Sequence, residues 1–314
     1  MTDDLVRQPL SSSPAKQNSK TSVSRRGLFK AATRGTLGLA AISIPTVAWG
    51  TEVEPTFVET SYHDVVLPNL PRSFDGFKLV QISDIHIDSG QASEFMLGVS
   101  RSIAQMNADA VVITGDFFTI APTPESSKKL IEVLEPLSAK LGVWGIVGNH
   151  DIGEFDPQWP INSRKTIVEA GVKLLNNEIH IFERGNDKLY LAGLDDFLLG
   201  EPDIEGIAAK IPANSAAILM GHEPDFAPEM AKTGQFGLML SGHSHGGQIC
   251  APFSGPIHLP TGAKNFPRGW YDFESPSKHG TMRLYTNRGI GTVGLNVRLL
   301  SRPEITVFTL KSVT

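Results

Sequence analysis

At 314 residues, 40% apolar and 19% charged, the chain has the composition of a globular protein able to bury a sizeable core. Its net charge of −5 is uneven: residues 1–50 hold seven Lys/Arg against Asp3 and Asp4, which leaves −10 on the remainder and argues against a broad nucleic-acid-binding face. A single cysteine, Cys250, excludes an intrachain disulfide, a CxxC redox pair and a thiolate-rich metal site, and beside an apolar run it reads as packing.

The amino terminus reads as an address. Ser24-Arg25-Arg26-Gly27-Leu28-Phe29-Lys30 precedes an apolar segment, Gly35 to Trp49, of fifteen residues broken by Pro45. A membrane-spanning helix needs about 20, so the pattern fits a signal peptide, and the paired arginines resemble the twin-arginine export signal. Cleavage after Ala48-Trp49-Gly50 fits a small-x-small site. Residues 1–50 are therefore expected to be the signal, and 51–314 a single domain without a transmembrane span. The expected location is the periplasm or cell-envelope exterior of a bacterium, with the twin-arginine machinery as a partner.

After an extended start, apolar strand patterns alternate with amphipathic helical ones. Strands are expected at 77–83, 110–114 and 142–148, and helices at 91–107, 124–139 and 161–171. VKLLN, EIHIF and KLYLAGL, between 172 and 194, then read as three short antiparallel strands split by Asn176-Asn177 and Gly185-Asn186-Asp187. The alternation returns with strands at 216–221 and 236–242 around a helix at 224–233, and MRLYTN and EITVFTL end the chain as strands. Such βα units joined to meandering strands imply an α/β fold of two sheets with helices outside.

Metal-ligating residue types fall after these strands. Asp84 and His86 follow the first, Asp116 the second, and Asn149, His150 and Asp151 the third; His222 follows AAILMG, and His243 and His245 follow FGLML. Ligands in α/β sheets bind at the carboxyl ends of strands, so distant segments converge on one place. A lone Asp there is usually a turn residue or cap, and a lone His a satisfied side chain, but five of nine histidines interleaved with carboxylates are not explained that way. Residues two apart on an extended segment share a face. Asp84 with His86, and His243 with His245, are thus expected to act as pincers, with Gly242, Gly246 and Gly247 allowing close approach. Imidazole and carboxylate donors suit Zn, Fe or Mn, and the set is too large for one ion.

D-x-H (84–86), G-D (115–116), G-N-H-D (148–151), G-H (221–222) and G-H-S-H (242–245), in that order, resemble the five motifs of the calcineurin-like metallophosphoesterases. GHSHGGQI and NRGIGTVGLNVRLLSRPEITVFTL further resemble its YkuE- or YaeI-like branch. The resemblance implies a four-layer αββα sandwich of two mixed sheets flanked by helices, with two divalent or trivalent metal ions (Mn, Fe or Zn). By position, Asp84, His86, Asp116 and His245 would hold one ion; Asp116 would bridge to a second completed by Asn149, His222 and His243. One departure is Phe117-Phe118-Thr119, where many relatives carry an acidic residue three positions past the Asp.

The implied activity is hydrolysis of a phosphate ester, such as a phospholipid or sugar-phosphate, by a metal-bridging hydroxide, with diesters favoured and no nucleic acid expected as partner. His150 would protonate the departing oxygen or hold a phosphoryl oxygen. Asp151 either orients that imidazole or caps the backbone. Arg288 is a weaker candidate for substrate contact, and Trp159, Phe266, Trp270 and Tyr271 for an apolar wall. Gly289 to Gly294 satisfies G-x-G-x-x-G but opens no helix inside a βαβ unit, so it is a loop and not a dinucleotide cradle. The alternatives are a non-catalytic metal-dependent binding protein on the same fold and an exported oxidoreductase.

Overall fold

The computed structural model describes residues 46–91, 93–277 and 280–313; residues 1–45, which hold the paired arginines and all but the last five residues of the expected export signal, lie outside them. In chain order the elements are β1 (Glu59–Val66), β2 (Lys78–Ile82), α1 (Ser93–Gln105), β3 (Ala110–Thr114), α2 (Pro124–Leu134), β4 (Val143–Ile146), α3 (Asn149–Ile152), α4 (Gln158–Glu169) and β5 (Lys173–Leu174). There follow β6 (Glu178–Arg184), β7 (Asp187–Gly193), α5 (Ile204–Lys210), β8 (Ala216–Met220), α6 (Ala227–Lys232), β9 (Leu238–Ser241), β10 (Cys250–Ala251), β11 (Gly255–Pro256), β12 (Gly269–Glu274), β13 (Thr281–Thr286) and β14 (Glu304–Lys311).

Two mixed six-stranded sheets result, in the orders β1-β14-β2-β3-β4-β5 and β12-β13-β9-β8-β7-β6. Alternation along the buried strands builds the layers. On β3, Ala110 and Val112 face the space between the sheets and meet Ile218, Met220, Leu238 and Leu240 from the second sheet. Val111 and Ile113 face outward, onto Met96, Val99 and Ile103 of α1 and Leu130 and Val133 of α2. The second sheet repeats this: Ala217 and Leu219 of β8 pack outward on Ile207 of α5 and Met230 of α6. A period of two on strands, set against the i, i+3, i+7 stripe of α1, leaves helix, sheet, sheet, helix as the stacking that buries every apolar face. The α/β sandwich expected from the sequence is this architecture.

Helix ends follow local chemistry. Thr123 caps α2 by accepting from Ser126 N at 3.1 Å while Ser126 Oγ accepts from Thr123 N, and Pro124 occupies the first turn, where its missing N–H costs nothing. One expectation fails. The segment 172–194 is not three antiparallel strands: β6 and β7 pair antiparallel, but β5 joins β4 in parallel in the first sheet. The reason is the α4 crossover, which returns β5 beside β4 as a strand–helix–strand unit does. Asn177, at φ 56°, then turns the chain away before β6. Turn residues mark where strands break without saying which sheet each joins. Among the described residues no helix is long and apolar enough to cross a membrane.

Candidate metal centre

Both sheets present their strand ends to one place. Asp84 and His86 follow β2, Asp116 follows β3, Asn149 and His150 open α3 after β4, His222 follows β8, and His243 and His245 follow β9. The side chains gather in two buried groups, Asp84–His86–His245 and Asp116–His222–His243, with the ligand atoms of each group within 4.8 Å of one another. Asp116 sits between them: its Oδ2 lies 3.1 Å from His222 Nε2 and 3.5 Å from His86 Nε2. His86 Nε2 and His245 Nε2 approach to 3.2 Å, and His245 Nε2 is 3.4 Å from Asp84 Oδ1.

Of the two expected pincers, Asp84 with His86 stands, since both lie in one group, and the other is corrected: His243 and His245 belong to different groups. Nor are the pairs extended: Asp84, His86, Asp116, His243 and His245 hold φ of 52°, 45°, 56°, 67° and 51°. Left-handed backbone at a non-glycine residue costs ~1–3 kcal/mol and persists where the surroundings over-determine it. Here hydrogen bonds do so, from Asp84 N to Gly115 O (3.0 Å), His86 N to Asp116 O (3.1 Å) and His243 N to the Asp84 carboxylate (3.0 Å to Oδ1). Gly242 and Gly148 are sterically required. A Cβ on Gly242 would strike Ser83 Oγ and the Asp84 carboxylate, and one on Gly148 would strike the Asp116 carboxylate and His222 Nε2.

Backbone carbonyls set the imidazoles. His222 donates from Nδ1 to Thr114 O at 2.6 Å, leaving Nε2 toward Asp116, and His243 donates from Nε2 to Thr261 O at 2.8 Å, leaving Nδ1 with its lone pair. Burial pushes His86 down to about 3 against the opposing pull of Asp116, His243 down to about 4 and His245 well below its ordinary range. These three are neutral at physiological pH, as ligands must be. Burial lifts Asp84 to about 6. For Asp116 burial acts upward too, but His222 outweighs it and holds the carboxylate well below its ordinary range; His222 is held well above its own by Asp116, against its burial.

The donor set fits a pair of cations. Asn149 Oδ1 is buried without a hydrogen-bond partner, and His222 Nε2 faces the Asp116 carboxylate at 3.1 Å. An unpaired buried polar atom costs ~1–3 kcal/mol. Carboxylate, amide and imidazole donors converging without thiolates are the ligands that Mn, Fe and Zn accept.

His150 donates from Nδ1 to Thr119 O at 2.8 Å, and its own N–H bonds Asp116 Oδ1 at 3.0 Å. Thr119 thus takes up the position where the acidic residue is missing, and its Oγ1 lies 3.1 Å from His86 Nδ1. Asp151 does not orient His150: its carboxylate accepts from Phe117 N, Phe118 N and Gly148 N at 2.9, 3.1 and 3.0 Å, the capping role. Arg288 does not face the site either, being held by Glu304 (3.1 Å) and Glu59 (3.0 Å). The proposed aromatic wall is absent: Phe266 and Tyr271 pack outside the second sheet, Trp270 between the sheets, and Trp159 donates to His150 O at 3.0 Å.

Sequence reasoning missed Arg298. Its fully buried guanidinium donates to the carbonyls of Arg288, Gly289, Gly291 and Ser301. It thereby fixes the glycine-rich loop, which opens no helix; Ile290 N and Gly291 N then bond Ser83 O and Asp84 O at 2.9 and 2.7 Å. An arginine amid Leu, Asn and Val carries no local sign of such a role.

The family model "Calcineurin-like phosphoesterase" matches residues 77–247, more than half of the chain. The metallophosphoesterase YkuE of Bacillus subtilis is 36% identical over 263 residues, 83% of this chain and 88% of that protein. The UDP-2,3-diacylglucosamine pyrophosphatase LpxG of Chlamydia muridarum is 27% identical, covering 89% of this chain and 97% of its own. The phosphodiesterase YaeI of Escherichia coli is 26% identical over 74% of this chain and 82% of its own.

Proposed function

Since the chain belongs to the calcineurin-like phosphoesterases, we propose that this metal-dependent phosphoric ester hydrolase is a dinuclear phosphodiesterase acting outside the cytoplasm. The carrying observation is the pair of adjacent buried groups with Asp116 between them. Asp84, His86 and His245, with Asp116, would hold one ion; Asn149, His222 and His243, with Asp116, the other. Such a pair supplies an activated water and neutralises charge on phosphoryl oxygens.

The residues of this chain do the rest. Asp116, held as the anion, and three neutral imidazoles keep lone pairs available at neutral pH. His150, fixed through Nδ1 and lining the cavity at the centre, turns Nε2 to the leaving oxygen, to which its imidazolium form would deliver the Nε2 proton and be left as the neutral ring. The relatives LpxG and YaeI, named for pyrophosphate and phosphodiester cleavage, support a diester as the substrate.

Chromogenic phosphate mono- and diesters test this reading, offered to the purified chain after chelation and again with Mn, Fe or Zn. Diester cleavage that vanishes with the chelator and returns with a metal is expected. Silence toward every ester with every metal would sink it. Export rests on Arg25-Arg26 and the apolar segment behind them, with residues 1–50 as the signal and 51–314 as the catalytic domain. Cell fractionation should find the protein outside the cytoplasm and the Arg25→Lys, Arg26→Lys variant inside; equal distribution of the two rejects that route.

A further inference from the structure

The cavity that reaches the centre has about 350 Å³ of free volume and is lined by Asp116, Asn149, His150, His243 and His245 of the centre. Away from these its lining is mostly aliphatic, with Ile249, Ile257, Pro260 and Val293 beside Ser244, Gln248 and His258. No Lys or Arg lines it, and His258 is its one titratable group away from the centre. The wall comes from two segments stitched side by side. Gln248 bonds Val293 through both its carboxamide atoms (3.0 Å to O, 2.8 Å from N), Cys250 N donates to Leu299 O at 2.8 Å, and Ile257 N donates to Ile249 O at 3.0 Å. The same two segments carry exposed apolar side chains: Phe253 at the β10–β11 hairpin tip, fully exposed, Ile257 at 69%, Leu295 at 67% and Leu300 at 52%.

Single exposed apolar residues are ordinary. Several of them on the two segments that supply a cavity's aliphatic lining, with Ile257 belonging to both, point to an apolar ligand group. Resting on the phosphoesterase reading above, we propose that the substrate is an amphiphile. Its phosphoryl group lies at the centre, and a hydrocarbon substituent lies against Ile249, Ile257, Pro260 and Val293 and runs out along the exposed rim. A sugar or a nucleoside in that position would forfeit hydrogen bonds that these side chains cannot return.

The test uses 4-nitrophenyl alkyl phosphates, methyl through dodecyl, with the metal-restored full chain. Each buried methylene is expected to raise kcat/KM about fourfold until the wall is covered, and Ile257→Asp or Val293→Asp, at positions already partly open to solvent, to flatten that slope. A wild-type rate independent of chain length overturns the proposal while leaving the phosphoesterase reading intact. An undiminished slope in both variants overturns the assigned wall. No cleavage of any member removes both readings. Faster cleavage of the dodecyl ester in phosphatidylcholine vesicles than as monomer identifies a bilayer lipid as the source; the reverse order identifies a soluble amphiphile.

Discussion

His150 is fastened at three points, by Thr119 O, by Asp116 Oδ1 and by Trp159 Nε1. Two of these hold its backbone and one its ring, so removing the imidazole leaves the neighbouring ligands in place. His150→Ala is expected to lower kcat by ~10²–10⁴ while elemental analysis finds an unchanged metal content; loss of metal would make it structural. Asp84 sets a pH dependence. Its carboxyl is raised from 3.8 to about 6 by burial, so the stability it lends the metal-free fold is complete below about 3.8 and is lost as pH rises through about 6. A cation held at Asp84 would take the proton's place above that pH. The melting-temperature gain on adding metal should therefore grow from pH 5 to pH 7; a constant gain would refute the competition.

Among elements, the loop between β13 and β14 has no regular structure of its own and depends on Arg298. Ser301 links it to the centre by donating from Oγ to His245 O at 2.8 Å. Lysine cannot reproduce a planar fork that serves several carbonyls at once, and each carbonyl left unpaired costs ~1–3 kcal/mol. Arg298→Lys should lower unfolding free energy by about 3 kcal/mol in urea titrations and weaken metal retention during dialysis. The helices α1 and α2 and the strands β2, β3, β8 and β9 were legible because their side-chain periods are local. The β10–β11 hairpin and β12 were not, being short, half-exposed and defined by partners far along the chain.

At the scale of the whole molecule, the first sheet supplies Asp84, His86, Asp116, Asn149 and His150, and the second His222, His243 and His245. Each ligand group draws on both sheets, so a bound cation ties the two halves together. Ligand binding to the folded state alone stabilises it, by ~2.7 kcal/mol at a hundredfold excess over Kd. Chelation should lower the melting temperature by several degrees and re-addition restore it; identical melts would show that no ion bridges the sheets.

Residue identity alone determined the candidate ligands and the strands that deliver them, because donor chemistry and side-chain period are properties of short segments. How the ligands divide was a tertiary outcome: His243 and His245, two apart, serve different groups, whereas Asp84 and His86, two apart with the same left-handed backbone, share one. So was the support of His150 and His86 by Thr119, and of the final loop by Arg298. Those contacts join residues separated by tens of positions, or pair a side chain with a backbone carbonyl, and a carbonyl has no identity for a sequence to record.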